Sequence, residues 1–500
     1  MEEVRHNKNI IPDSWLKYIL FYALSAAFIL ANAWLVLKKD TLLGIAVPFL
    51  FLFFVTAVYS YDKLIWLTVL FVPFSVPLRR LIPGLPFDMH MPTEPLLLGI
   101  LILFLITQLN RKKIDRSIAL HPIALTVYFY LAWMALTSIS STMPLVSFKY
   151  LLTRIWFTVV FLFLMAFLFL QKQKNIERFI LLFTIALVPV LLYTLLRHLK
   201  YGLTNNTAAH WVMSPFFNDH TSYGALLAML IPFLAGFAFG GWFDRKYRFW
   251  LLSLLGIFVI AELFSYTRAA WLSLFFAGGI WVLIRLKISF RTLVLTLVTL
   301  FLIIFTFQGQ ILERLERNSQ DSSSNLMEHF TSMTNITTDA SNLERINRWQ
   351  CAIAMYKEKP VLGWGPGTYA FKYAPFQLTR QRTIISTNSG DGGNAHSEYL
   401  GSLAESGLIG SFSYLLIIVV VLYTGIRAYS ATNDRRKKTL LLSAVLGLIT
   451  YYFHGILNNF LDTDKISLPF WGFTAIILAL DLSIRKENNR SPRLAEQKTE

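Results

Sequence analysis

Near-continuous apolar runs of about 17–23 residues succeed one another along this chain, and that pattern limits its fold more than any motif does. A helix needs roughly 20 apolar residues to cross a hydrocarbon core, where the backbone must satisfy its own hydrogen bonds. About fourteen such runs are legible: 17–37, 41–60, 63–78, 93–109, 121–140, 155–171, 176–197, 220–242, 249–266, 269–286, 291–308, 408–426, 439–457 and 466–484. Composition agrees, with 55% hydrophobic and only 15% charged residues in a chain of 500. The runs lack a period of two, so a closed β-barrel is excluded. The expected fold is an all-α polytopic membrane protein with about 12–14 transmembrane helices. Run 17–37 follows a basic start but is too long for a signal-peptide core, and reads as an uncleaved first span.

Lys and Arg gather in alternate connections: Lys63; Arg111, Lys112, Lys113 and Arg116; Lys172, Lys174 and Arg178; Arg245, Lys246 and Arg248; Arg285, Lys287 and Arg291; and Arg427 with Arg435, Arg436, Lys437 and Lys438. The positive-inside bias makes that side cytoplasmic and puts both termini there. Lys38 and Lys39 are the exceptions. The net charge of +17 thus reports topology, and no nucleic-acid partner is implied. A single cysteine, Cys351, excludes an internal disulfide. No Cys/His cluster has zinc spacing and no Walker lysine motif occurs, so neither a metal nor a nucleotide cofactor is expected.

The spans divide the chain into N-terminal helices 1–308, a large polar loop 309–398 on the outer face, C-terminal helices 399–486 and a solvated tail 487–500. The loop's first half is rich in Ser, Thr and Asn and reads as an exposed connection. Its second half places Leu343, Ile346, Trp349, Ile353 and Tyr356 at helical spacing behind a capping box of Ser341 and Glu344. Lys359 and Pro360 end this helix, and Gly363, Gly365 and Gly367 form a tight turn after it. Without a preceding strand or a following lysine, that glycine triplet is no nucleotide fingerprint. The loop reads as a small folded cap on the outer helix ends, where function is expected.

Ionisable residues on that side are the candidates for chemistry, and they are mostly cationic. Arg268 sits in the short turn "SYTRAAW", where it is either a snorkelling arginine or a ligand contact flanked by small residues. Arg345 has no acid three or four residues away and borders the apolar stripe, whereas Arg348 follows Glu344 by four in the order that favours an ion pair. One turn of helix rotation decides which of the two faces a substrate. His396, in "NAHSEYLGSLAESGLIG", is either a helix-end histidine bonded to a carbonyl or a general base at a wet interface. Ser397 and Glu398 cannot complete a triad with it, because adjacent helical residues point about 100° apart. His220, beside Asp219, is a further candidate or a carbonyl-bonded helix start. Two arginines and a histidine at the lipid–water boundary suit a lipid-linked diphosphate: guanidinium forks hold the phosphates while the ring takes a proton from an attacking hydroxyl.

The motifs "SYTRAAW", "ERINRWQCAIAMYKEKPVLGWGPGTYAF" and "NAHSEYLGSLAESGLIG", in that order, resemble the O-antigen ligase and O-antigen polymerase superfamily of bacterial integral-membrane glycosyltransferases. The resemblance covers roughly residues 220–425. It implies a metal-independent enzyme of the inner membrane that moves a glycan from undecaprenyl diphosphate to an acceptor hydroxyl on the periplasmic face. The acceptor would be lipid A-core, a growing glycan or a protein. It also implies that His396, Arg268 and Arg345 are catalytic, and it sets Arg268, Arg345, Arg348, His220 and Gly365 as substrate-binding candidates. Gly363, Gly367, Glu405 and Gly407 would match structural parts of the motifs. A lipid-linked sugar transporter or a membrane scaffold are the readings from other classes; a transporter predicts midplane charges and repeat symmetry, and neither is visible.

Overall fold

A computed structural model describes residues 61–82, 88–109, 115–286, 340–377 and 393–496, with scattered positions within 22–30 and 291–306. The expected spans 17–37, 41–60 and 291–308, the Ser/Thr-rich half of the loop, and the cations Arg111, Lys112, Lys113 and Lys287 lie largely or wholly outside the described residues. Residues 1–64 and 65–500 form separate units.

The second unit is an all-α polytopic membrane protein. Its principal helices are α1 (Thr93–Leu109), α2 (Pro122–Ile139), α3 (Pro144–Gln171), α4 (Lys174–Tyr201), α5 (His220–Phe239), α6 (Arg245–Leu263), α7 (Arg268–Arg285), α8 (Ala340–Glu358), α9 (Glu398–Ala431), α10 (Arg435–His454) and α11 (Asp464–Glu496). Among the described residues, seven helices are long and apolar enough to cross a membrane: α2, α3, α4, α5, α7, α9 and α11. They coincide with seven of the expected runs. Run 93–109 becomes the shorter apolar α1, and run 63–78 is not one helix: the helix Tyr61–Phe71 gives way to a 3-10 turn at Val72–Phe74, where Pro73 interrupts it, and to the strand Val76–Pro77. Runs 249–266 and 439–457 form α6 and α10, which carry Arg245, Lys246 and Arg248, or Arg435 to Lys438, inside their first turns and so fall short of an unbroken apolar span. The described strands are one two-residue antiparallel pairing, Val76 with Met91 and Pro77 with His90.

The first 26 residues of α11 are the most enclosed, with 89% of the apolar window buried, and the other helices wrap it. Small residues bring backbones close: at Gly447 of α10 a Cβ would come 2.6 Å from the Met229 carbonyl of α5, and at Gly425 of α9 it would come 2.5 Å from Val445. Charged residues tie one end of the bundle together. Asp481 of α11 meets His121 at 3.1 Å, Arg427 of α9 at 2.5 Å and Arg485 at 2.7 Å, while Arg436 of α10 pairs with Glu177 of α4 at 2.6 Å. Lys437 pairs with Glu487 at the same end.

The cap sits at the opposite end, where α9, α5 and α7 begin and α10 finishes. Helix α8 stops at Glu358, as Lys359 and Pro360 foretell, and its inner face packs Cys351, Ala352 and Met355 against Tyr369, Tyr373, Ala395 and Ala404. The glycine turn then docks on α9: Trp364 N–H donates to Ala404 O (3.1 Å), Gly365 N–H to Glu405 O (2.8 Å), and Leu408 N–H to Pro360 O (2.9 Å). Two glycines permit this approach. Gly407 has φ 68° and ψ −170°, which breaks α9 into a short outer piece and a long inner one, and a Cβ there would overlap the Val361 carbonyl. Gly363, at φ 68°, faces the Glu405 backbone as closely.

Candidate active site

The segment 393–398 leads into the start of α9 at the cap end of the bundle. His396 adopts φ 48°, a left-handed conformation uncommon for a side-chain-bearing residue. Three bonds hold it there. Its N–H donates to Asn394 Oδ1 (3.1 Å), its carbonyl accepts from Trp349 Nε1 of α8 (3.1 Å), and Glu398 N–H two residues on donates to Gly455 O at the end of α10 (2.9 Å).

The His396 ring is part-buried, hydrogen-bonds Asn458, and leaves Nδ1 without a hydrogen-bond partner among the described residues. Burial, then the charges of Arg345 and Arg348, push its pKa from 6.5 down to about 4, while the Asn458 bond and Glu344 pull the other way. The ring is therefore neutral at neutral pH, with a lone pair to offer.

Arg345 is the cation that the histidines share. Its charge reaches His396, His220 and His454. It sits one helical turn before Trp349, whose indole holds the His396 carbonyl, so α8 presents both toward the same segment. Arg348 is differently placed. Its Nε donates to Glu344 at 2.6 Å, its guanidinium lies 3.8 Å from the centre of the Tyr373 ring, and its carbonyl accepts from Tyr369 Oη. The ion pair that the i,i+4 spacing foretells is present and buried.

His220 starts α5 behind the Asp219 cap, whose Oδ1 accepts from Ser222 N–H at 2.8 Å. Its ring lies 4.1 Å from that of His210, tilted by 40°, and its carbonyl accepts from Thr267 Oγ1 at 2.8 Å. Thr267 immediately precedes Arg268, the first residue of α7, which places Arg268 beside the start of α5 at the cap end of the bundle. Gly365 stands apart from this group and packs against Ser141 and Ser147 at the start of α3. The structure thus gathers His396, Arg345 and Arg348 in one field, joins His220 to it through Arg345, and sets Gly365 in the cap's joint.

Residues 251–415 match the family model described as O-Antigen ligase. The chain carries an O-antigen ligase domain. That match supports a relation to the O-antigen ligase and polymerase superfamily, membrane proteins of glycosyltransferase type. No curated protein matches the chain. The matched stretch of the ligase domain contains Arg268, Arg345, Arg348, Gly365 and His396, but not His220.

Sequence reasoning passed over Asn458, His454 and Asp462. Asn458 Nδ2 lies 3.1 Å from His454 Nε2, so one amide connects two of the histidines. The signal was present in "HGILNNFLDTD", residues 454–464, a concentration of polar side chains between two apolar runs. Glu398 organises that stretch from across the fold, its Oε1 accepting from Tyr451 Oη (2.6 Å), Phe460 N–H (2.8 Å) and Leu461 N–H (2.9 Å). Among the described residues, no group of three or more His, Cys, Asp or Glu side chains is arranged to hold a metal ion.

Proposed function

We propose that this ligase-domain protein transfers a glycan from a polyprenyl diphosphate, undecaprenyl diphosphate in a bacterial inner membrane, to an acceptor hydroxyl on the periplasmic face. The observation that carries this is the neutral His396 ring with an unoccupied Nδ1, set beside the Arg345 charge inside the stretch matched to ligases.

The reaction follows from the parts. The acceptor O–H gives its proton to His396 as its oxygen attacks the anomeric carbon. The bond from that carbon to the phosphate oxygen breaks, and the diphosphate leaves against Arg345 and Arg268. A ring held near 4 in the empty site is a weak base, but an incoming diphosphate brings negative charge beside it and raises its proton affinity when the donor is bound. Arg348, paired with Glu344, tunes the field and holds the cap. His220 lies within reach of the same Arg345 charge.

Deletion of the gene and complementation with wild type, His396→Ala, Arg345→Ala or Arg268→Ala tests this, with surface polysaccharide and glycoproteins read on the same gels. Loss of the long-chain ladder with free core retained marks a ligase, a single-repeat band a polymerase, and lost glycoprotein a protein acceptor. Unchanged products from well-expressed His396→Ala would overturn the proposal.

A further inference from the structure

Next to the histidine cluster lies a cavity of about 340 Å³ that the transfer mechanism does not use. Asn394, Ala395, Ser397 and Glu398 line it, and His396 does not, so the segment 394–398 divides the two. The far wall brings together Arg154 of α3, Tyr130 of α2, Tyr369 and Gly367 of the cap, and Glu405 and Tyr414 of α9. Asp462, exposed toward solvent, closes one side.

Three carboxyl groups, of Glu398, Glu405 and Asp462, share the lining with one guanidinium, that of Arg154, so the wall offers little to a diphosphate. Two of Arg154's nitrogens are already committed, to the Leu461 carbonyl and to Tyr150 Oη at 2.5 Å, and Glu398 is taken up by Tyr451 and two backbone N–H groups. Three other polar atoms in the wall have no hydrogen-bond partner among the described residues: Arg154 Nε and Tyr414 Oη on residues 3% and 4% exposed, and Asn459 Oδ1. Buried polar atoms left in this state are costly unless a ligand or water completes them. The set mixes a pure donor, a pure acceptor and a hydroxyl. A cation satisfies no arginine N–H and an anion satisfies no amide oxygen, whereas a hydroxyl group serves both. Tyrosine rings add the flat apolar faces on which a sugar ring stacks.

The geometry points to this cavity as a glycan-binding subsite that seats one sugar unit of the transfer reaction, with Tyr414, Arg154 and Glu405 reading its hydroxyls. The inference rests on the glycan-transfer reading above and names where its sugar is held. A second cavity of about 130 Å³ shares Asn218, Asn394, Asn459 and Asp462 with the first and extends to Asp219, the residue before His220. A sugar in the larger space thus borders a polar route to the histidine side.

Saturation-transfer difference NMR on the detergent-solubilised full chain tests the subsite, with glucose, galactose, rhamnose and N-acetylglucosamine as probes. At least one sugar is expected to bind wild type, and Tyr414→Phe and Glu405→Gln are expected to weaken it roughly tenfold each, the loss of one hydrogen bond to a buried partner. Tyr414→Phe removes an oxygen with no hydrogen-bond partner among the described residues, so a purely structural role predicts no loss. Glu405→Gln keeps an oxygen for Tyr369 N–H, which Glu405 Oε1 binds at 3.0 Å. Competition by N-acetylglucosamine carried on farnesyl diphosphate identifies the donor's sugar, and undisturbed binding identifies the acceptor's; both support the subsite. No sugar signal, or equal affinity in both variants, overturns it. If His396→Ala abolishes polysaccharide while the variants bind sugar like wild type, the subsite fails and transfer stands. If sugar binding falls in the variants while His396→Ala makes normal polysaccharide, the reverse holds.

Discussion

Replacing Arg345 with Met is expected to raise the pKa of His396. The ring titrates at about 4 rather than 6.5, a preference for the neutral form worth roughly 3 kcal/mol. Burial is the largest cause and persists in the variant; the Arg345 charge comes next, ahead of Arg348. A like charge at contact range moves a pKa by roughly 1–3 units, and a charge that ranks below burial and is partly solvated lies at the lower end. The His396 resonance should therefore move up by on the order of one pH unit, to near 5, and stop short of the ordinary value because the ring stays enclosed. Methionine keeps much of the arginine's length, so the packing of α8 is disturbed little. The assay is an NMR pH titration of histidine-labelled full chain, with His396→Asn assigning the resonance. An unchanged or lower midpoint would falsify the placement of Arg345 beside the ring. Residual transfer activity should follow the same sign, its acid limb shifting upward with the ring.

Three other outcomes follow from the same contacts. Glu344→Gln leaves the Arg348 guanidinium buried against Tyr373 without its counter-charge, and should destabilise the cap by roughly 3–5 kcal/mol, read as earlier proteolysis of the loop while the membrane helices persist. Equal protease resistance would count against the pair as an anchor. Gly407→Ala forces a side chain into a conformation only glycine accepts and into the Val361 carbonyl, costing at least about 1–3 kcal/mol, with loss of polysaccharide out of proportion to protein level. Full complementation by this variant would refute the docking of turn on kink. As for pH, the unfolded chain protonates His396 near 6.5 and the folded chain near 4, so the ring's contribution to stability is complete above 6.5 and is lost as pH falls from 6.5 through 4. Between pH 7.5 and 4.5 wild type should lose roughly 2–3 kcal/mol more than His396→Asn, and parallel melting curves would contradict this.

Much of the fold was legible because the information is local. Unbroken apolar runs fix the fold class, and the Glu344–Arg348 pair follows from spacing on one helix. The end of α8 at Glu358 follows from Pro360. The apolar runs 249–266 and 439–457 were harder to place, since basic residues belong to the first turns of α6 and α10. The surroundings of His396 were illegible for a different reason. Asn458, Gly455 and Trp349 lie 62, 59 and 47 positions away in sequence, and no periodicity in the chain connects them. The commitment of Arg154 to the Leu461 carbonyl, and so its place in the wall of a cavity, depends on how α3 packs against the loop before α11.

The backbone at His396 explains how one short segment can serve two spaces. A non-glycine residue at φ 48° costs on the order of 1 kcal/mol, and the fold accepts it because Asn394, Trp349 and Gly455 fix the segment on both sides of the bend. The bend turns the ring toward Asn458 and Arg345 while Ala395 and Ser397 face the carboxyl-lined cavity. A diphosphate calls for cations, whereas a neutral sugar calls for hydrogen-bond donors and acceptors without net charge. On the proposed reading, a division at His396 keeps Arg345 apart from the carboxyl-lined wall, while Asn394 and Asp462 form an edge common to both cavities.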